Sequence, residues 1–137
     1  MGKDNVLICL FYEGNTYNFN KWYFDNINIF AKSDKTELQL SSIDIENVIP
    51  MGNTDIEFTV SNIGGTEITS FEASYEIEGY ETYTESFNDT IESSSNKNFK
   101  FSKAIYLLPG SHSIKVNILN VNGENDTNLD NNTMSKD

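Results

Sequence analysis

In DIEFTVSNIGG, residues 55–65, every second side chain is apolar until the run meets Asn62-Ile63-Gly64-Gly65. Ile56, Phe58 and Val60 share one phase, and Asp55, Glu57, Thr59 and Ser61 the other. A period of two belongs to a β-strand with one face in a core and the other in water. An amphipathic helix would need a period of about 3.6. The same alternation recurs along most of the chain, each run bounded by Gly, Asn, Asp, Ser or Pro, so antiparallel strands joined by turns are expected. Asn and Gly tolerate positive φ, and residues 62–65 are accordingly expected to reverse the chain tightly.

From residue 37 the runs succeed one another at the spacing of a β-sandwich. Residues 37–49 carry Leu38 and Leu40 in one phase and Ile43 and Ile45 in the other. The slip at Ser41-Ser42 marks either a bulge or a strand crossing between sheets. Pro50-Met51-Gly52-Asn53 reads as a turn before the strand at 55–61. Residues 67–78 put Phe71, Ala73, Tyr75 and Ile77 on one face and Ser70, Glu72, Ser74, Glu76 and Glu78 on the other. Further runs lie at 80–87, at 98–106 with Phe99 and Phe101 inward, and at 112–121 with Ile114, Val116 and Ile118 inward. A short strand near 133–135 completes the series. The fold class expected is all-β: an Ig-like antiparallel β-sandwich of about seven strands over 37–137, preceded by an N-terminal β-hairpin.

That hairpin comes from VLICLFYE and KWYFDNINIF, joined by GNTYNFN. Two strands alone are not a stable unit, so they either pack on the later strands or form the tail of another, truncated domain. The organisation read from the sequence is thus a hairpin at 1–31, a polar linker at 32–36, and the sandwich from 37 to 137. Cys9 sits in the apolar run of the first strand and is expected to be buried there. The run at 6–12 lacks a small-residue cleavage site and meets Glu13-Gly14 at once, so it reads as a strand rather than a signal peptide. If the protein is exported, its signal lies upstream.

Charge and chemistry exclude several classes of function. The nine basic residues are all lysine, against 21 acids, for a net charge of -12. Such a field repels phosphate backbones, and no guanidinium fork is available to grip them, so nucleic acid is not an expected partner. No apolar run approaches the about 20 residues that span a bilayer as a helix. His112 is the only histidine and Cys9 the only thiol. A zinc site of nitrogen and sulfur ligands needs more of them, and a Ser-His-Asp triad would have only His112, beside a Pro-Gly corner with no nucleophile elbow. No glycine-rich phosphate loop is present. Glu72, Glu76 and Glu78 fit a solvated strand face better than a converging acid pair, which glycoside hydrolysis would require. The chain is therefore read as non-enzymatic, with no catalytic residues.

Two weaker signals concern ligands. Asn122, Glu124, Asp126, Asn128 and Asp130 alternate along one loop, and hard oxygen donors so spaced suit calcium; an ordinary polar hairpin is the more economical account of them. The glycine and distal glutamate of an EF-hand are missing. Tyr17, Trp22 and Tyr23 concentrate aromatic surface in the N-terminal segment, where ring faces could pack on carbohydrate or on missing parts of a core.

The order of signals after residue 37 resembles the CARDB group, the cell-adhesion-related domain of bacteria. Three marks carry the likeness: Asn62-Ile63-Gly64 at a strand end, Pro109-Gly110-Ser111-His112 at a later corner, and Asn125-Asp126 with Asn131-Asn132 in the last hairpin. The N-terminal segment is similar to the closing strands of a jelly roll of the cleaved-adhesin or choice-of-anchor type, through Trp22, Tyr23, Asp25, Asn26, Ile27 and Ile29. These resemblances imply a non-catalytic adhesion, spacer or protein-interaction module of a larger secreted or surface protein of the Bacteroidetes type, extracellular or outer-membrane associated. The alternative is a carbohydrate-binding accessory module of a secreted hydrolase or peptidase. Implied partners are neighbouring domains of the same chain, and protein or glycan ligands at the cell surface.

Overall fold

The alternating runs after residue 37 become strands, and their inward residues meet in one core. The protein is described by a computed structural model, in which residues 34–124 and 126–137 are placed, together with Cys9. The chain divides into two units, Met1–Phe30 and Ala31–Asp137, and every strand described belongs to the second. The expected hairpin and its residues Tyr17, Trp22 and Tyr23 lie outside the described residues. Cys9, expected to be buried, is exposed.

The strands are β1 (Leu38–Ile43), β2 (Gly52–Thr54), β3 (Glu57–Asn62), β4 (Phe71–Ile77), β5 (Tyr83–Phe87), β6 (Asn96–Lys100), β7 (Ile105–Leu107), β8 (Ile114–Leu119) and β9 (Thr133–Lys136). Three of them form one sheet in the order β1-β3-β6, and four form another in the order β5-β4-β8-β9. These seven are the expected sandwich, with every pairing antiparallel. The pair β2-β7 is a separate ribbon, and it corrects one expectation. Gly52 and Asn53, expected in a turn, pair with Leu107 and Tyr106, because the chain beyond Pro50 runs alongside the strand before the Pro-Gly corner. The run at 98–106 likewise divides, its second half joining that ribbon as β7. The slip in β1 is a bulge: the β1–β3 register shifts between Leu40 and Ser42, and Leu38, Leu40 and Ile43 all stay buried.

Aromatic pairing organises the core. Phe58 on β3 lies opposite Phe99 on β6, and Phe71 on β4 lies opposite Phe87 on β5. Each pair is stacked, at 6.0 Å and 5.1 Å between ring centroids. The two pairs then meet across the sandwich edge to face, with Phe58 at 90° to Phe71 and Phe71 at 84° to Phe99. Edge-to-face contact sets the positive rim of one ring on the negative face of another, which adds to the burial of apolar area. Phe101 and Tyr75 extend the cluster: Phe101 lies 5.0 Å from Phe58 and 5.0 Å from Tyr75. Ser74, assigned to the wet face, is buried on central β4, where Asn117 Nδ2 donates to it.

The turn after β3 departs from the expectation in an informative way. None of residues 62–65 has positive φ; the positive values fall elsewhere, as at Asn122 and Gly79. Asn62 acts instead through a fully buried side chain. Its Nδ2 donates to the carbonyls of Thr66 and Ile91, both at 2.9 Å, and its Oδ1 accepts from Gly64 N–H. Gly64 is required by proximity: a Cβ there would lie 2.3 Å from Lys35 O and 2.8 Å from Glu37 N. Residues 34–36, marked by composition as linker, are bonded into the sandwich. Lys35 O accepts from Gly65 N–H, and Thr36 O from Thr127 Oγ1.

On the outer face of the three-stranded sheet, Asp44 accepts from Thr59 Oγ1 (2.6 Å), Ser42 Oγ (2.7 Å) and Asn98 Nδ2 (2.9 Å). It thereby gathers side chains from β1, β3 and β6. The Thr59 bond most of all, then that from Ser42, hold its carboxyl below the usual range; burial opposes them in part, and the Asn98 bond and the charge of Lys136 add smaller effects in the same downward direction. A pKa lowered on folding contributes stability that is present above the unfolded-state value and is lost as pH falls through the folded one. The melting midpoint of the wild type should therefore fall more steeply below about pH 4 than that of Asp44→Asn. Parallel curves in a pH series of thermal melts would refute this.

Candidate functional site

Among the described residues, two places outside the core stand out for exposed apolar surface or for unusual polar chemistry. The first is a cleft of about 350 Å³ between residues 45–49, residues 107–114 and the end of β9. Its lining mixes apolar and charged residues, Ile49 and Leu107 with Glu46 and Lys136, and large exposed apolar side chains lie on and near the adjoining β2-β7 ribbon. Val48 is 86% exposed, Met51 60%, Leu108 59% and Tyr106 51%. Met51 and Leu108 flank the Gly52–Leu107 pair of the β2-β7 ribbon, so the ribbon is what brings this surface together.

His112 belongs to this cleft, and its bonds are structural. Its Nε2–H donates to Leu108 O at 2.8 Å, while Leu108 N–H donates to Tyr80 Oη at 3.1 Å. The His112 and Tyr80 rings stand edge to face at 5.8 Å. Leu108 is thus clasped through both its backbone N–H and its carbonyl, which accounts for a histidine three residues after Pro109. Tyr83 is also packed, against Tyr75 and Phe101, with its hydroxyl 3.0 Å from Ser102 Oγ. The strand carboxylates take local partners: Glu72 accepts from Asn120 and Ser86, and Glu76 from Asn117 with Lys115 at 3.6 Å.

The second place includes the polar loop from Asn122 to Asn132, and the structure sends its five expected donors in different directions. Asn122, at φ +52°, clamps the approach to β4: its Oδ1 accepts from Thr69 N–H and Ser70 N–H, and its Nδ2 donates to Glu67 O. Asn128 accepts from Asp130 N–H and caps a short 3-10 turn, Leu129–Asn131. Glu124 and Asp130 are exposed. Asp126 alone turns inward, 7% exposed, its Oδ2 accepting from Leu38 N–H (2.9 Å) and Asn132 Nδ2 (3.1 Å). Among the described residues, no group of three or more His, Cys, Asp or Glu is placed to hold a metal. The residues gathered around Asp126 are instead Glu37, Asn131 and Asn132. Glu37 gave no signal in sequence, being one acid among many at a strand start. The Asn131-Asn132 pair was visible only as a mark of resemblance.

The two packed sheets define an Ig-like β-sandwich, and two solved structures are similar to it in fold. A domain of a candidate cell surface protein from Methanosarcina acetivorans matches with a TM-score of 0.58 at 26% identity, over 74% of this chain and 88% of that one. The CARDB domain of a Pyrococcus furiosus protein, in complex with di-metal ions, matches with a TM-score of 0.52 at 19% identity, over 83% of this chain and 95% of that one. No family model and no curated protein matches the sequence. The chain has a CARDB-like fold, of the kind seen in a module of a surface protein. Among the described residues, no helix is long and apolar enough to cross a membrane.

Proposed function

We propose that this chain is a non-catalytic module of a larger secreted or surface protein, extracellular or outer-membrane associated, that spaces neighbouring domains and docks against a protein surface. The observation that carries the reading is the exposed apolar surface of Met51, Tyr106 and Leu108 at the β2-β7 ribbon, beside the cleft that Val48 lines. Clustered exposed apolar groups of this kind mark contact surfaces more often than solvent-facing ones. The occupant is a neighbouring protein domain of the same chain. A rigid sandwich with one apolar surface suits stacking against a neighbour, and polar strand faces bonded to themselves suit exposure on its sides. The similarity to a cell surface protein domain supports the same setting.

Amide exchange tests it. In the intact parent protein, residues 48–51 and 106–112 should exchange more slowly than in the 137-residue chain, and a Met51→Ser, Leu108→Ser variant of the parent should lose that difference. Equal exchange in both contexts overturns the docking role. Saturable binding on a glycan array that is lost in Trp22→Ala would favour a carbohydrate-binding accessory module instead. Turnover of chromogenic glycosides or peptides that falls in His112→Ala would overturn the non-catalytic reading.

A further inference from the structure

Where the start of β1 meets the loop before β9, four polar side chains are withdrawn from solvent: Glu37 (9% exposed), Asp126 (7%) and Asn132 (3%), with Asn131 half-buried beside them. They form one connected patch. Asn132 Nδ2 and Leu38 N–H both donate to Asp126 Oδ2, and Asn131 Nδ2 donates to Glu37 Oε1 at 2.9 Å. Glu37 precedes Leu38 directly, so the two carboxylates are held on the same stretch of backbone.

The bonds within this patch engage both amide nitrogens and still leave acceptors over. Asp126 Oδ1, Asn131 Oδ1 and Asn132 Oδ1 are all buried and have no hydrogen-bond partner. A single orphaned acceptor of this kind costs about 1–3 kcal/mol, so three in one place call for a species that interacts only with oxygen lone pairs. Two amide oxygens and a carboxylate oxygen, beside a second carboxylate, are hard donors with no nitrogen or sulfur among them. That set disfavours zinc and suits a cation that takes six to eight oxygens, with water completing the shell.

We propose that Glu37, Asp126, Asn131 and Asn132 bind a divalent hard cation, calcium, through Asp126 Oδ1, Asn131 Oδ1 and Asn132 Oδ1. Glu37 contributes charge and is oriented by Asn131. Of the loop donors expected from sequence, only Asp126 takes part. The ion would join the start of β1 to the loop before β9, segments 88 residues apart at the Leu38–Asp126 contact. This tie would stiffen a part of the module separate from the docking cleft, and it stands whether or not that cleft docks a domain.

The test is calcium titration of the EDTA-treated 137-residue chain, by calorimetry and thermal melting. Binding should saturate, and at a hundredfold excess over Kd the midpoint should rise by roughly 10 °C. Asp126→Asn, which keeps an oxygen for Leu38 N–H, should lose most of the binding. Asn131→Ala, at a half-buried position, should lower affinity at least tenfold and serves if the first variant folds poorly. Glu124→Gln with Asp130→Asn should leave the isotherm unchanged. An unmoved midpoint and no heat in about 10 mM calcium would overturn the proposal, since sites of extracellular modules saturate below this. So would binding that survives both Asp126→Asn and Asn131→Ala, or that is abolished by the exposed-loop pair instead. Waters on the three oxygens in a crystal structure grown with calcium would do the same.

Discussion

Replacing Phe58 with alanine should lower the melting midpoint by more than about 12 °C, because the loss is about 3–5 kcal/mol and each kilocalorie shifts a domain near this size by at least about 4 °C. Phe58 has no solvent exposure and touches four rings, Phe71, Phe87, Phe99 and Phe101. Its ring belongs to both kinds of contact in the core, stacked on its strand partner and edge-on to the opposite sheet. The remaining rings are fixed on separate backbone segments and cannot all move into the hole, so a cavity persists. Phe99→Ala is the control. It sits on edge strand β6 at 8% exposure, where neighbours can settle into the space, and it should cost clearly less. Equal losses for the two variants in denaturant or thermal unfolding would mean that the core has no such centre.

Asn62→Asp should be nearly as damaging at neutral pH, although it exchanges one nitrogen for one oxygen. The wild-type side chain is fully buried and points two N–H donors at the carbonyls of Thr66 and Ile91. An introduced carboxylate would aim negative oxygen at both. An uncompensated charge of this kind costs about 3–5 kcal/mol, unless it is neutralised by a proton. This fixes the sign of the pH dependence. Burial and the two carbonyls raise the introduced group's pKa in the folded state above the unfolded value, so the variant's deficit is complete above the folded pKa and shrinks as pH falls through it. Unfolding of Asn62→Asp and wild type at pH 8 and about pH 4.5 should show the gap narrowing on the acid side. A constant gap would show that the site is not closed to water.

Asn62 also illustrates what could be read in advance and what could not. Asn-Ile-Gly-Gly after an alternating run correctly marks the end of β3, since these residues interrupt packing on either face. The mechanism differs from the usual one, because no left-handed conformation is used. Asn62 is required as a peg between the loop and Ile91, and Gly64 because the backbone at residues 35–37 passes against it. Those neighbours are distant in sequence, so no local pattern could reveal them. The same limit applied to the loop at 122–132. Spacing suggested five donors on one ion, whereas the fold spends Asn122 on the approach to β4 and Asn128 on a cap, and turns Asp126 towards Leu38.

What the sequence determined alone was the set of inward side chains in the sandwich. Strand period is a local property, and a slip of one residue would carry Phe58, Phe71, Val116 and their neighbours to the wet face. The irregularity in β1 was legible for that reason, since the phase change at Ser41-Ser42 is written in the residues themselves, but the structure decided that it is a bulge and not a crossing between sheets. Only the tertiary structure decided that Gly52–Thr54 pairs with Ile105–Leu107, that the rings meet edge to face, and that Glu37 shares a buried corner with Asp126, Asn131 and Asn132. Such pairings depend on which segments lie side by side once both sheets close, and polar side chains take their partners from whatever that closure brings within reach.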